Sequence, residues 1–197
     1  MPASLTPLIL FTLVATISPG GATTLATASG ANFGFRRSVP LITGISIALA
    51  VMAALAAAGL ASLLLRAPAL QFGMKLVGSG YLLWLAWRTG RGGRPDLERG
   101  IATPTSFIGG AGLLWVNPKG WAMTLSAAAS FAALADGPFR LALLLGAAFA
   151  LASLFSLTAW CAAGLVLART LRTEAHWRML NVALGVLLAA SVIPIWL

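Results

Sequence analysis

The stretch TSFIGGAGLLWVNPKGWAMTLSAAASF, residues 105–131, decides the fold, because it is long and apolar enough to cross a bilayer yet is polar at its centre. A membrane-spanning helix needs about 20 predominantly apolar residues, and a lysine at its centre costs about 2.5–3.5 kcal/mol. Pro118 also removes a backbone donor and clashes with the carbonyl four positions earlier. Residues Asn117-Pro118-Lys119-Gly120 therefore predict a broken helix with a function at the break.

A second break of the same kind is predicted at Ser18-Pro19-Gly20-Gly21, inside the first apolar run of the chain. Pro19 and Pro118 are 99 positions apart in a chain of 197 residues. This offset of half the length predicts two related halves, each containing one broken helix.

The composition is that of an integral membrane protein. Hydrophobic residues make up 59% of the chain and charged residues only 9%, whereas a soluble domain carries about 25% charged residues. The apolar runs are continuous rather than alternating, so they predict helices and not barrel strands. The net charge of +9 comes from short loops between these runs, where Lys and Arg set topology. No nucleic-acid partner is therefore expected.

Six transmembrane helices are predicted, which makes the fold class an all-α integral membrane protein. Their ranges are 5–29, 39–65, 69–88, 105–131, 139–168 and 177–197. Nine arginines fall in alternate loops and only two lie on the opposite side. Since positively charged loops stay in the cytoplasm, both termini are predicted to be periplasmic.

Three helices in each half force the second half to run inverted relative to the first. The expected organisation is an N-terminal three-helix repeat over 1–88, a cytoplasmic linker over 89–103 and a C-terminal three-helix repeat over 104–197. Inverted repeats with broken helices 1 and 4 are the plan of many secondary transporters.

The residues at and around the two breaks are the candidate substrate contacts. Each proline frees backbone carbonyls, and each new helix N-terminus presents N–H groups that attract anions. Irregular backbone within a bilayer is tolerated only where it is buried in protein or lines a cavity. The alternative is a pair of purely structural kinks. The predicted substrate-binding residues are Ser18, Pro19, Gly20, Gly21, Thr23, Thr24, Lys75, Asn117, Pro118, Lys119 and Asn181.

The two lysines within predicted spans have no obvious carboxylate partner, since all four acidic residues fall in loops or at span ends. Lys119 would be ~15 Å from either surface of a ~30 Å hydrocarbon core. We therefore expect Lys119 to face a cavity and to bind a substrate carboxylate. Lys75 lies near the outer end of helix 3, so substrate binding and snorkelling to the interface both remain open for it.

Enzymatic chemistry is not predicted. A metal site needs clusters of His, Cys or carboxylates, and the chain has one His and one Cys. An intramembrane hydrolase would need a nucleophile with an adjacent base, and no such pair is found. No catalytic residue, metal or cofactor is expected.

The chain contains Ser18-Pro19-Gly20, Gly34-Phe35-Arg36-Arg37, KLVGSGYLLWLAW at 75–87, Phe107 and Asn117-Pro118-Lys119. Together these segments resemble the LysE/RhtB family of amino-acid exporters, and the resemblance covers essentially the whole chain. In that family the first break is often Thr-Pro-Gly-Pro followed by Asn, whereas this chain lacks the second proline and the amide. Residues 26–31 and the GFRRS segment are similar to the neutral amino-acid and cysteine/O-acetylserine branch.

The resemblance implies an ion-driven secondary active exporter in the bacterial inner membrane. Its substrate would be an amino acid or close derivative, neutral and of the cysteine/O-acetylserine or homoserine/threonine type, moved by alternating access. The expected partners are that small molecule, membrane lipid and protons. Because no carboxylate lies in a span, Lys119 is the candidate proton carrier.

Two other classes of function remain open. A non-transporting membrane scaffold or assembly factor would have no water-accessible cavity at residues 117–119. An ion channel or ion transporter would need rings of acidic or carbonyl groups.

Overall fold

The computed structural model describes residues 5–59, 68–91, 104–170, 173–190 and 192–196, and all regular structure in these ranges is helical. A short 3-10 turn, Ala132–Leu134, joins the fifth and sixth helices. The α-helices are α1 (Thr6–Ile17), α2 (Gly21–Ala57), α3 (Pro68–Gly90), α4 (Phe107–Trp115), α5 (Pro118–Ser130), α6 (Pro138–Thr170), α7 (Glu174–Ala190) and α8 (Ile193–Trp196).

Helix α2 folds back on itself at Gly34. This residue has φ 78° and ψ 170°, a backbone conformation that glycine adopts without a steric penalty. The hydroxyl oxygens of Ser29 and Ser38 lie 2.7 Å apart although they are nine residues apart in the chain. In a straight helix that separation would be about 13 Å. The predicted loop 30–38 is therefore a tight turn between two helical arms, 21–33 and 35–57.

Two interruptions divide the spans that were predicted over 5–29 and 105–131. Helix α1 ends at Ile17, and after an extended Ser18 the chain enters α2 at Gly21. Helix α4 ends at Trp115, and α5 begins at Pro118. Both interruptions lie where the proline-containing segments predicted them. The helix predicted over 177–197 begins earlier and is interrupted between α7 and α8.

The centre of the molecule is the packing of α2 against α6. A β-carbon built on Gly30 would lie 2.1 Å from the Cys161 carbonyl oxygen, and one built on Gly164 would lie 2.1 Å from the Thr27 carbonyl oxygen. Glycine at these positions lets the two backbones touch, as small residues do between membrane helices. Further along the pair, the Ser46 hydroxyl donates to the Ser153 hydroxyl at 3.1 Å.

The remaining helices pack around this pair. Helix α3 lies against α7 and α4 against α2. A β-carbon on Gly78 of α3 would lie 2.2 Å from the Val116 carbonyl oxygen, so α3 also contacts the second interruption. The end of the predicted second helix, 60–65, and most of the predicted linker, 92–103, lie outside the described residues.

Two of the described helices, Gly21–Ala57 and Pro138–Thr170, are long and apolar enough to cross a membrane. Because α2 turns at Gly34, only its arm 35–57 can serve as a full span, and it is about 34 Å long at 1.5 Å per residue. A hydrocarbon core is about 30 Å thick, so the arm suffices. Large apolar side chains such as Val14, Ile108 and Leu151 are exposed on the outside of the bundle, as lipid-facing residues are.

Candidate substrate-binding site

Lys119 joins the two interruptions. Its Nζ donates to the Ser18 hydroxyl at 2.7 Å, to the Ser18 carbonyl at 3.2 Å and to the Pro19 carbonyl at 3.3 Å. An ammonium group has three donors, so all three are used. The two breaks, about a hundred residues apart in the chain, therefore face each other across this contact. Its acceptors come from the backbone and a hydroxyl, not from a carboxylate.

The carbonyls at the end of α1 are satisfied by side chains. The last carbonyls of a helix have no intrahelical donor. Here the Ser18 hydroxyl donates to the Ala15 carbonyl at 2.9 Å. Two side chains of α6 donate to the last two residues of α1. The Ser156 hydroxyl donates to the Thr16 carbonyl at 2.8 Å, and Trp160 Nε1 donates to the Ile17 carbonyl at 3.1 Å. Helix α6 therefore holds the first break in shape.

Ser156 and Trp160 were not among the residues predicted from the sequence. Their partners lie 140 and 143 positions away, and no local pattern reports such a contact. The one available signal was their spacing of four residues, which places a hydroxyl and an indole N–H on the same face of a mostly apolar helix.

At the second break the polar side chains shape the backbone. Asn117 is the N-cap of α5, and its Oδ1 accepts from the Lys119 backbone N–H at 3.0 Å, as capping side chains do. Trp121 Nε1 donates to the Trp115 carbonyl at 2.9 Å. The Asn117 backbone N–H donates to the Leu114 carbonyl at 3.0 Å. The N-terminus of α5 and the carbonyls of Leu114 and Trp115 are thus occupied.

The N-terminus of α2 is more open. The Gly20 N–H donates to the Thr23 hydroxyl at 2.8 Å, and that hydroxyl donates to the Gly20 carbonyl at 3.0 Å. Within the described residues no hydrogen bond engages the N–H groups of Gly21 and Ala22. Unpaired N–H groups at a helix N-terminus attract anions.

A small cavity, which we call the inner cavity, lies between the breaks. Its volume is about 40 Å³, enough for a few waters and far below the ~300–1,000 Å³ of ordinary ligand pockets. The site is therefore closed around Lys119. Its polar lining consists of the side chains of Thr16, Ser18, Thr23, Asn117, Lys119 and Ser153, together with the backbone of Gly20, Gly21 and Gly120.

On the other side of Lys119 lies an open groove between α1 and α5. Its volume is about 580 Å³, and its walls are largely apolar, with Leu10, Val14 and Met123 among them. The residues that line both this groove and the inner cavity are Ala15, Ser18, Lys119 and Met123. The contact between Ser18 and Lys119 is therefore part of the wall between the two spaces.

The other predicted site residues fall in different places. Thr24 is buried but does not line the inner cavity, and its N–H donates to the Gly20 carbonyl at 2.9 Å. Asn181 is 1% exposed and lines a different cavity, near the Gly34 turn. Lys75 lies in α3 and Pro118 begins α5, but their side chains are outside what the structure describes.

Comparison with known proteins identifies the family of this chain. Residues 13–191 match the LysE type translocator family. The cysteine/O-acetylserine efflux protein of Salmonella typhimurium (strain LT2) is 28% identical over 197 residues, covering 98% of this chain and all of that protein. The protein of the same name from Escherichia coli O6:K15:H31 is 28% identical over 196 residues, covering 99% of this chain and 98% of that one.

No solved structure matches the chain. The family match spans most of the sequence, including both breaks and Lys119. The chain therefore belongs to the LysE-type translocator family, and it is a membrane transporter and not an enzyme.

Proposed function

We propose that the protein is a secondary active exporter of amino acids or close derivatives across the bacterial inner membrane. The favoured substrates are neutral and of the cysteine/O-acetylserine type, with homoserine and threonine as the next candidates. The relatives that match over nearly their whole length are named as cysteine/O-acetylserine efflux proteins. The observation that carries the proposal is the contact of Lys119 with Ser18 and Pro19 beside a cavity.

Recognition of the substrate would follow from an exchange of charged groups. In the closed site, the Lys119 ammonium donates to the Ser18 and Pro19 carbonyls. A zwitterionic amino acid carries an ammonium that can take these same acceptors. Its carboxylate can then pair with the released Lys119 and with the N–H groups of Gly21 and Ala22. A substrate lacking either charge would leave a buried group unpaired, which is costly.

Each proline was expected to free backbone carbonyls, which could accept from the substrate amino group, but most of these carbonyls are already occupied. The carbonyls of Ala15, Thr16 and Ile17 have side-chain donors. At the second break, those of Leu114 and Trp115 are also occupied. The acceptors that Lys119 holds are the ones released when Lys119 itself moves to pair with the substrate carboxylate.

Transport would use alternating access in a bundle of six spans. We propose two inverted three-helix halves, 1–88 and 104–197, with both termini periplasmic. The equivalent positions of the two breaks and the distribution of arginines support this arrangement. Release of Lys119 from Ser18 would join the inner cavity to the groove between α1 and α5. Protons are the proposed coupling ion, with Lys119 as the carrier.

An export assay tests the function. Cells lacking their own exporters are loaded with dipeptides, and free amino acids are measured outside. O-acetylserine, which no dipeptide supplies, is instead accumulated from the cell's own synthesis. Expression should raise external cysteine or O-acetylserine above both an empty vector and Lys119→Gln at equal membrane levels. If no amino acid, including homoserine and threonine, leaves faster than with the vector, the proposal is wrong.

A further inference from the structure

A second polar cavity, which we call the mouth cavity, lies near the Gly34 turn. Its volume is about 160 Å³, four times that of the inner cavity. This is room for about ten water-sized groups, comparable to the non-hydrogen atoms of a small amino acid. Arm 21–33 of α2 contributes to its wall, as do α3, α7 and Thr105 in the segment before α4. The residues that matter here are Leu25, Asn32, Arg88, Thr89, Thr105 and Asn181.

The two cavities open in succession on one face of arm 21–33. Gly21, Leu25, Ala28 and Asn32 follow each other at spacings of four, three and four, which places them on the same face of a helix. Gly21 lines the inner cavity, whereas the other three line the mouth cavity. Gly21 and Leu25 are about 6 Å apart along the helix axis. Leu25, which is 5% exposed, therefore stands between the two spaces.

The mouth cavity carries groups that complement a zwitterion. The Arg88 guanidinium lies 5.5 Å from the centre of the Trp84 ring, and no carboxylate of the described residues pairs with it. A guanidinium stacked in this way keeps its N–H edge for a carboxylate. Asn32 Nδ2 donates to the Ala28 carbonyl at 2.8 Å. Its Oδ1 remains as an acceptor for an ammonium group.

We propose that the mouth cavity is the first binding site of the amino-acid substrate. The carboxylate binds Arg88 and the ammonium binds Asn32 before the molecule passes Leu25 to reach Lys119. This inference rests on the proposed export function. The cavity lies beside the turn that precedes Arg36 and Arg37, which is the side predicted to be cytoplasmic and the side from which an exporter takes its substrate.

Arg91 provides a matched control for the role of Arg88. It lies at the same end of α3, and its guanidinium is 4.7 Å from the centre of the Trp87 ring, but it does not line the mouth cavity. Arg88→Gln and Arg91→Gln each remove one positive charge from the same region. If these arginines serve only to orient the protein in the membrane, the two substitutions should have equal effects on export.

The kinetic test measures export against internal substrate concentration, using O-acetyl-L-serine. Arg88→Gln should raise the half-saturating concentration about tenfold, the effect of one lost charge-assisted hydrogen bond, while the maximal rate stays unchanged. Arg91→Gln should behave like the unaltered protein. Equal effects of the two variants, or no effect of Arg88→Gln at matched protein level, would overturn the proposal.

A labelling test reports occupancy without transport. Cys161 is the only cysteine and is fully buried, so Thr89→Cys introduces one accessible thiol into the mouth cavity. The labelled protein also carries Lys119→Gln, which we expect to stop transport, so that labelling reports binding alone. In inverted vesicles, O-acetyl-L-serine should slow labelling by an anionic methanethiosulfonate, and adding Arg88→Gln should raise the concentration needed for this protection about tenfold.

The outcomes separate the two proposals. If the unaltered protein exports O-acetyl-L-serine but Thr89→Cys is never protected, the mouth cavity is not a binding site and the export function stands. If the unaltered protein exports no amino acid, the proposed function fails irrespective of the labelling result, and the mouth cavity has no transport role.

Discussion

At the scale of single residues, Ser18 has two roles. Its hydroxyl donates to the Ala15 carbonyl and accepts from Lys119 Nζ, and its carbonyl accepts from the same ammonium. A hydroxyl can donate and accept at once, so one side chain closes the end of α1 and anchors the lysine of the other half. The contact includes no opposite charge, so a substrate carboxylate can still supply the counter-charge of Lys119.

Ser18→Ala should weaken this contact. It removes the shortest of the three Lys119 hydrogen bonds and leaves the Ala15 carbonyl without its donor. We expect a loss of stability of about 1–3 kcal/mol, measured as a lower unfolding temperature in detergent. Ser18→Thr keeps the hydroxyl and serves as control. An unfolding temperature equal to that of the unaltered protein would show that the hydroxyl is not part of the closed site.

The break residues could be predicted from sequence because proline and lysine are costly in an apolar helix wherever they occur. The residues that contact the breaks from other helices could not be predicted from the sequence. Ser156 and Trp160 contact α1 across 140 and 143 positions, and Arg88 was assigned to membrane topology because its charge follows the loop pattern. Such contacts depend on which helix faces which, and local sequence carries little information about that.

At the scale of elements, the close approach of α2 and α6 fixes the scaffold behind the site. Gly30 and Gly164 let each backbone touch the other helix, and Ser156 and Trp160 project from α6 to the first break. The turn at Gly34 brings the second arm of α2 alongside the first. The sequence predicted a loop over 30–38, because the chain must reverse there, but a single glycine with positive φ accomplishes the reversal.

Gly164→Ala should separate α2 from α6. The new β-carbon would lie 2.1 Å from the Thr27 carbonyl oxygen. Because that atom belongs to the backbone, the clash can be relieved only if the helices themselves shift. We expect a loss of stability of at least about 1–3 kcal/mol, the usual cost of overpacking, together with loss of export. The measurement is unfolding temperature and membrane yield.

Gly112→Ala is the matched control for that change. It also lies within a helix, but a β-carbon there meets nothing within 4 Å. Its unfolding temperature should be unchanged or slightly higher, since alanine favours helix. Equal destabilisation by both substitutions would show that the contact between α2 and α6 is not tight.

At the scale of the whole molecule, the prediction of two inverted halves rests on the arginine distribution and the half-length offset of the breaks. The structure places the breaks against each other, while membrane orientation follows from charge alone. A reporter that is active only outside the cytoplasm should therefore function when fused after Leu197. Activity of a cytoplasm-specific reporter at the same position would contradict the periplasmic C-terminus and require an odd number of spans if the N-terminus is periplasmic.

The central claim is that Lys119 binds substrate and is not merely part of a kink. The most direct measurement is export of O-acetyl-L-serine by Lys119→Met, compared with the unaltered protein at equal membrane levels. Methionine is of similar length and removes the charge. A lysine with a purely structural role can be replaced by an apolar side chain at little cost or with a gain in stability. The account predicts that Lys119→Met inserts and accumulates normally but exports no more than the empty vector. Near-normal export by this variant would contradict it.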